Sequence, residues 1–208
     1  MKISFCIISD GQEPEKLSAQ VDSIHALNVP EYEVIIAGNP NIGVDVDLII
    51  PMPNTARQGR LGAMRNAVVS CAGGEIVIVT DDDMVFDQQF HDALMNYEGE
   101  WDVMACRILN PDGTRYWDWK AHKDGKNWLL EYGDTSEYQS LTGGVTIAKA
   151  HVFETVEWNS ELTFNQAEDV DFTNRLKAAG FGIVFNEKCI ILHNAPYTQV
   201  GIGVFKKE

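Results

Sequence analysis

Gly73-Gly74-Glu75-Ile76-Val77-Ile78-Val79-Thr80-Asp81-Asp82-Asp83-Met84 is the stretch on which the reading of this chain turns. Four consecutive β-branched residues describe a strand buried on both faces, as in the middle of a parallel sheet. Three carboxylates follow at its C-terminal end, where open α/β sheets place their ligands. Adjacent acids repel one another and stay ionised together only beside a cation or a dense set of donors. An oxygen-rich cluster of this kind suits Mg²⁺ or Mn²⁺, with a substrate phosphate completing the shell. The plainer reading is a turn with an Asp helix cap. One Asp fits it easily; three after a wholly apolar run fit it poorly.

Outward from this strand, the pattern on its N-terminal side alternates strand and helix. Residues 3–8 read as a first strand that ends in Ser9-Asp10-Gly11. Leu17, Val21, Ile24 and Leu27 recur at helical spacing within 13–27, with Pro14 suited to the first turn. Val34-Ile35-Ile36 and Leu48-Ile49-Ile50 are further strands, and residues 61–71 form the helix that feeds the central strand. Right-handed crossovers then build a mostly parallel sheet flanked by helices, in a fold of the nucleotide-binding α/β type. Neither GxGxxG nor GxxxxGK[ST] is present.

Beyond the acids, residues 90–97 read as a short helix and 103–109 as a strand, before the turn Asn110-Pro111-Asp112-Gly113. Tyr116-Trp117-Asp118-Trp119, with Trp128 and Tyr132, gathers aromatics among polar residues. Such rings stack on the C–H faces of sugars, and they also serve ordinary hairpins. Gly143-Gly144 before Val145-Thr146-Ile147 marks a close backbone approach at a strand's start. Glu168-Asp169-Val170-Asp171 opens a helix that runs to about Ala179 and stops at Gly180. Helical spacing sets Asp169 on one face with Phe172 and Leu176, pointing inward, with Glu168 about 100° round the axis. Burial would make such a carboxylate a better proton acceptor; the dipole at the helix start accounts for Glu168 and Asp171 more readily. Cys189-Ile190-Ile191-Leu192 delivers His193 at the end of a last strand.

Composition bounds the class. The 208 residues with 45% hydrophobic content suit one domain with a full core. A net charge of −15 argues against a nucleic-acid surface. Cys6, Cys71, Cys106 and Cys189 are widely spaced and predict buried free thiols in a reducing compartment. With no leader pattern and no run near the ~20 apolar residues of a membrane span, a soluble cytoplasmic protein is expected. Val204-Phe205 followed by Lys206-Lys207 reads as a frayed end or a weak lipid contact.

In this order, the acidic turn, the Glu-Asp pair opening a late helix and the closing His resemble the family 2 glycosyltransferases of the GT-A fold. Arg65-Asn66-Ala67, Ala72-Gly73-Gly74-Glu75 and Gly143-Gly144-Val145 add to the likeness, which spans nearly the whole chain. It implies a single domain over 1–208, with a nucleotide-binding half (1–83) and an acceptor-binding half (84–208). It also implies a metal-dependent, inverting transfer from a nucleotide-sugar donor, with Mn²⁺ or Mg²⁺ between Asp83, His193 and the diphosphate. Asp169 would be the general base and Glu168 would orient the acceptor. Ser9, Asp10, Asp81 and Asp82 would hold the nucleoside, and Arg65 the diphosphate, with Arg57 and Arg60 as further cations. Trp117, Trp119, Gly143 and Gly144 would line the acceptor site. Ala37-Gly38-Asn39 stands where the family carries acids for the nucleoside, leaving UDP as the commonest choice beside GDP and dTDP. Two rivals share the fold. A sugar-nucleotide pyrophosphorylase would need a glycine-rich, Arg-containing loop in place of Ser9-Asp10-Gly11-Gln12; a silent binding protein would need no turnover.

Overall fold

The computed structural model describes residues 1–40 and 43–195. The tail read as a frayed end or lipid contact lies outside them. In chain order the elements are β1 (Ile3–Ser9), α1 (Pro14–His25), β2 (Tyr32–Gly38), β3 (Leu48–Pro51), α2 (Pro53–Arg57), α3 (Leu61–Cys71), β4 (Ile76–Asp81), β5 (Met84–Phe86), α4 (Phe90–Met95), β6 (Val103–Leu109), β7 (Lys120–Lys123), β8 (Lys126–Leu129), β9 (Gln139–Ser140), β10 (Val145–Lys149), α5 (Ala150–Thr155), α6 (Glu168–Ala178) and β11 (Ile183–His193).

Eight strands make one sheet in the order β3-β2-β1-β4-β10-β6-β11-β5. The neighbours β3, β2, β1 and β4 are mutually parallel, as are β6 and β11; β10 and β5 run against them. The expected α/β fold with a mostly parallel sheet is therefore present, with one refinement. The central strand β4 is parallel to β1 on one side and antiparallel to β10 on the other. An unbroken apolar run reports burial on both faces, and it carries no information about the direction of a neighbour.

That burial is complete. Ile76 and Ile78 join a core layer with Leu17, Val21 and Ile24 of α1 and Phe90 and Leu94 of α4. Val77 and Val79 point the other way, to Met64 and Val68 of α3 and Phe172 and Leu176 of α6. Alternate residues of one strand thus feed two layers, each buried side chain contributing ~1.5–3 kcal/mol of transfer free energy.

A second, three-stranded sheet in the order β8-β7-β9 packs over the α6 side. Asp124-Gly125 makes its two-residue hairpin, both residues at positive φ (49° and 76°), between the paired Lys123 and Lys126. Asp-Gly between short strands is a strong hairpin signal. It is masked in the sequence because the flanking segment is rich in lysine rather than in alternating apolar residues.

Candidate active site

The acids sit where β1, β4 and β11 end. Gly38 lets β2 close against this edge: with φ at +128°, a Cβ there would lie 1.9 Å from the Ser9 carbonyl oxygen. Ser9, so placed, donates its hydroxyl to Asp82. Asp10 is exposed and accepts the Gln12 backbone N–H at 2.9 Å. On the far side, the Asn194 N–H donates to the Asp83 carbonyl at 2.7 Å, pinning the end of β11 to the acidic turn. His193 Nε2 then lies 3.2 Å from Asp83 Oδ2. Tyr116 stacks on the imidazole, with centroids 4.0 Å apart and planes at 20°.

Electrostatically the turn is under strain. Burial pushes the Asp81 carboxyl up to about 6; Arg65 opposes this and Asp83 adds to it. Burial also lifts Asp82 to about 7, against the Ser9 hydrogen bond and with the help of Asp81, Asp83 and Asp10. Tyr116 is pushed up to about 12 by burial and by Asp83, Asp81 and Asp169. Two buried polar atoms here, Asp83 Oδ1 and His193 Nδ1, have no hydrogen-bond partner. A buried atom left in this way is costly unless a ligand satisfies it.

The second acidic pair comes to the same cleft through Arg65. This residue on α3 is 2% exposed and donates to Asp81 Oδ1 (2.9 Å), the Gly143 carbonyl (2.7 Å) and Glu168 Oε1 (3.4 Å). The expectation that Arg65 faces a diphosphate needs correcting. Its guanidinium is enclosed by the protein's own acceptors, so it joins the acidic turn, the Gly143 loop and α6 into one unit. Arg60 is likewise committed to Glu161 and the Ser160 carbonyl, and Arg57 contacts Asn54.

Helix α6 is rotated slightly from the expected setting. Glu168, Phe172, Thr173 and Leu176 form its buried face, and Glu168 (side chain 10% exposed) is deeper than Asp169 (16%). The i, i+4, i+8 series through Glu168, Phe172 and Leu176 fits the helix as well as the series through Asp169, and the Arg65 charge settles which one enters. Asp169 lies at the rim, its Oδ2 2.6 Å from Lys120 Nζ and its Oδ1 accepting the Val170 N–H at 2.9 Å. Lys120, buried on β7, is a site residue that sequence reading missed. A lysine within a polar hairpin gives no sign of its partner 49 residues away.

The two glycines stand close, as expected. A Cβ on Gly144 would come 2.4 Å from Met84 Cε, and one on Gly143 would touch Glu168 Oε1 at 3.4 Å. Trp117 is half-buried beside Tyr116, whereas Trp119 is core. It packs on Phe185 and gives its indole N–H to the Asp134 carbonyl, so its faces are closed to a ligand. That corrects the assignment of Trp119 to an acceptor site. Among the described residues, no three His, Cys, Asp or Glu side chains converge into a metal cage made by protein alone.

Compared with known proteins, the chain matches no family model and no curated protein. Its fold is nevertheless that of solved structures, an α/β domain similar to the GT-A type. Particular matches are to TarS of S. aureus. One TarS structure matches with a TM-score of 0.65 at 18% identity, covering 94% of this chain and 37% of that one. TarS 1-349 in complex with UDP-GlcNAc matches at 0.67 and 16% identity, over 99% and 62% of the two chains. The complex with UDP matches at 0.62 and 19%, over 94% and 59%. The chain thus spans less than two thirds of the length of these TarS chains. No helix among the described residues is long and apolar enough to cross a membrane.

Proposed function

We propose that this chain is a nucleotide-sugar-dependent glycosyltransferase of the GT-A type, using a UDP-sugar as donor and an acceptor hydroxyl as nucleophile. One observation carries the reading. Two acidic clusters 87 residues apart in sequence, at Asp81 and Glu168, share the buried guanidinium of Arg65 and so lie side by side. The fold likeness to TarS, which binds UDP and UDP-GlcNAc, supports the choice of donor.

A divalent ion, Mn²⁺ or Mg²⁺, fits the residues present. Asp83 and His193 offer a carboxylate and an imidazole that are already adjacent, each with one unsatisfied buried atom. Such ions commonly take few protein ligands and fill the rest with substrate phosphate and water. When bound, the ion would neutralise charge on the leaving diphosphate. The chain's own groups do the remaining work. Ser9, Asp10 and Asp82 border the nucleoside end, and Tyr116 keeps the His193 ring in plane. Asp169 accepts the proton of the acceptor hydroxyl, with Lys120 holding the carboxylate in place. Glu168, held by Arg65, orients the acceptor from beneath. A base opposite the leaving group makes this a single displacement with inversion at the anomeric carbon.

The deciding experiment is titration calorimetry and thermal shift with UDP and UDP-GlcNAc, with and without Mn²⁺. Metal-dependent binding is expected, and a ligand at 100 times its Kd adds ~2.7 kcal/mol of stability. Failure of every nucleotide to bind would reject the reading. Binding with no donor hydrolysis and no transfer would favour a silent binding protein. NMR of the first-formed product tests inversion.

A further inference from the structure

A cavity of about 970 Å³ opens between α4 and the irregular middle of β11, away from the acidic cleft. Its lining includes none of Ser9, Arg65, Asp81, Asp82, Asp83, Glu168, Asp169 and His193; Ile190 on its wall precedes His193 by three residues, about 10 Å along an extended strand. β5 covers the edge of β11 only at Ile191–His193, and the register of β11 slips between Asn186 and Ile190. Bulges of this kind lie next to functional sites more often than chance.

Arg107 forms part of the cavity wall, and its Nε is buried without an acceptor. Among the described residues it pairs with no carboxylate, whereas Arg60, Arg65, Arg115 and Arg175 each do and Arg57 donates to the Asn54 side-chain oxygen. In a chain with 31 acids, a guanidinium whose buried Nε has no acceptor needs a reason. Packing on Tyr132 does not supply it. Arg107 lies 5.7 Å from that ring's centroid, and Arg115 already covers the ring at 4.0 Å. Lys188 adds a second positive charge to the lining. Asp92, Glu98 and Glu187 also line the cavity, with the amides of Gln89 and Asn96. These carboxylates repel a bare polyanion and accept hydrogen bonds from hydroxyl groups.

We propose that this cavity is a second ligand site that takes a small hydroxylated anion, its phosphate or carboxylate seated on Arg107 and its hydroxyls facing the acidic rim. A guanidinium binds such oxygens through charge-assisted, paired hydrogen bonds. The same chemistry is found on a free metabolite and on a charged group of a longer chain.

The test is a two-dimensional NMR titration of the arginine Nε–H and Gln/Asn side-chain amide signals at constant ionic strength. Inorganic phosphate, acetate and glucose 6-phosphate serve as probes. Glucose 6-phosphate is expected to shift Arg107 Nε–H, Gln89 and Asn96 together and saturably, and to bind more tightly than inorganic phosphate. In Arg107→Gln the Gln89 and Asn96 shifts should weaken by about tenfold in affinity, the loss of one charge-assisted contact. Lys188→Gln, at an exposed position that does not endanger the fold, should weaken binding by a smaller factor. Equal affinity for phosphate and glucose 6-phosphate would overturn the hydroxylated ligand. Absence of any saturable shift at Arg107, or unchanged binding in Arg107→Gln, would overturn the site. Glucose 6-phosphate linked through its C1 to a longer glycan separates the two sources: a site for chain-borne groups binds it at least as well, and a site closed around a free metabolite excludes it.

Discussion

Glu33 and the Asp81–Asp83 turn are carboxylates at opposite ends of the same parallel strands, and their surroundings differ in kind. At the N-terminal end, Glu33 accepts hydrogen bonds from Lys2 Nζ (2.7 Å), Ser4 Oγ (2.6 Å) and the Gly73 N–H (2.6 Å). Burial alone would raise its carboxyl, but these donors outweigh it and hold Glu33 below the usual range. At the C-terminal end, burial and mutual repulsion push Asp81 and Asp82 to about 6 and 7, and Asp83 Oδ1 has no partner. One end ties β1, β2 and the start of β4 together with its acid fully used. The other keeps acids that the fold alone does not satisfy, as sites shaped for a ligand do. Residues at the lower end should therefore govern stability without touching chemistry, and residues at the upper end the reverse.

The largest expected effect is at the upper end. Asp169→Asn keeps the shape and, through its one carbonyl oxygen, the Val170 contact, but it removes the proton acceptor. It also turns an amide NH2 toward the buried Lys120 ammonium, so its melting point is to be measured beside its activity. Transfer should fall by roughly 10² to 10⁴ with donor affinity within a few-fold of wild type. Full transfer by this variant would move the base, with Glu168 next in line. Asp83→Asn should come second: Mn²⁺-dependent affinity for UDP, read by calorimetry, should drop by about 10². Unchanged affinity would remove the metal from the proposal.

Glu33→Ala tests the lower end. It strands the Ser4 hydroxyl and the Gly73 N–H, and unfolding should become easier by ~2 kcal/mol while Mn²⁺-dependent UDP affinity stays put. The pH signature follows from the lowered carboxyl. A group with a depressed folded pKa contributes its stability above its unfolded value, near ~4.3 for Glu, and loses it as pH falls through the folded value. The gap between wild type and Glu33→Ala in denaturant melts should thus be widest at neutral pH and close in acid. A gap unchanged down to strong acid would mean that Glu33 acts by packing alone.

These two ends were unequally legible in sequence. α3 and β6 carry the bounds expected from their apolar spacing, and the acids after β4 announce themselves by being three in a row. The contacts that assemble the cleft do not. Arg65 reaches partners 16, 78 and 103 residues away, and Lys120 meets Asp169 only because β7 folds over α6. Periodicity placed Asp169 inward within one helical step, yet choosing between it and Glu168 required the position of the Arg65 charge. β5 is three residues long and was invisible for that reason: too short to show a period. Glu33 drew no notice because its role depends on Lys2 and Ser4 at the start of the chain and Gly73 before β4 arriving from two other segments.

The smallest expected effect is also the sharpest test of the comparison, because its sign is opposite to that of most substitutions. Asp82→Asn at the upper end should stabilise the ligand-free protein. The Asn carbonyl oxygen can still accept the Ser9 hydroxyl, so the contact that holds β1 to the turn survives. What disappears is a carboxylate charge that burial first, and then repulsion from Asp81, Asp83 and Asp10, push up to about 7. Above that pH the wild type holds the repulsion in full. Removing it should raise stability by ~0.5–1 kcal/mol, a few degrees in Tm for a chain of this size. The melts are to be run without metal or nucleotide, since a bound cation would cancel the repulsion and turn the gain into a loss. If Asp82→Asn melts lower than wild type in the ligand-free state, the acidic turn is satisfied by the fold after all, and the contrast between the two ends of the sheet fails.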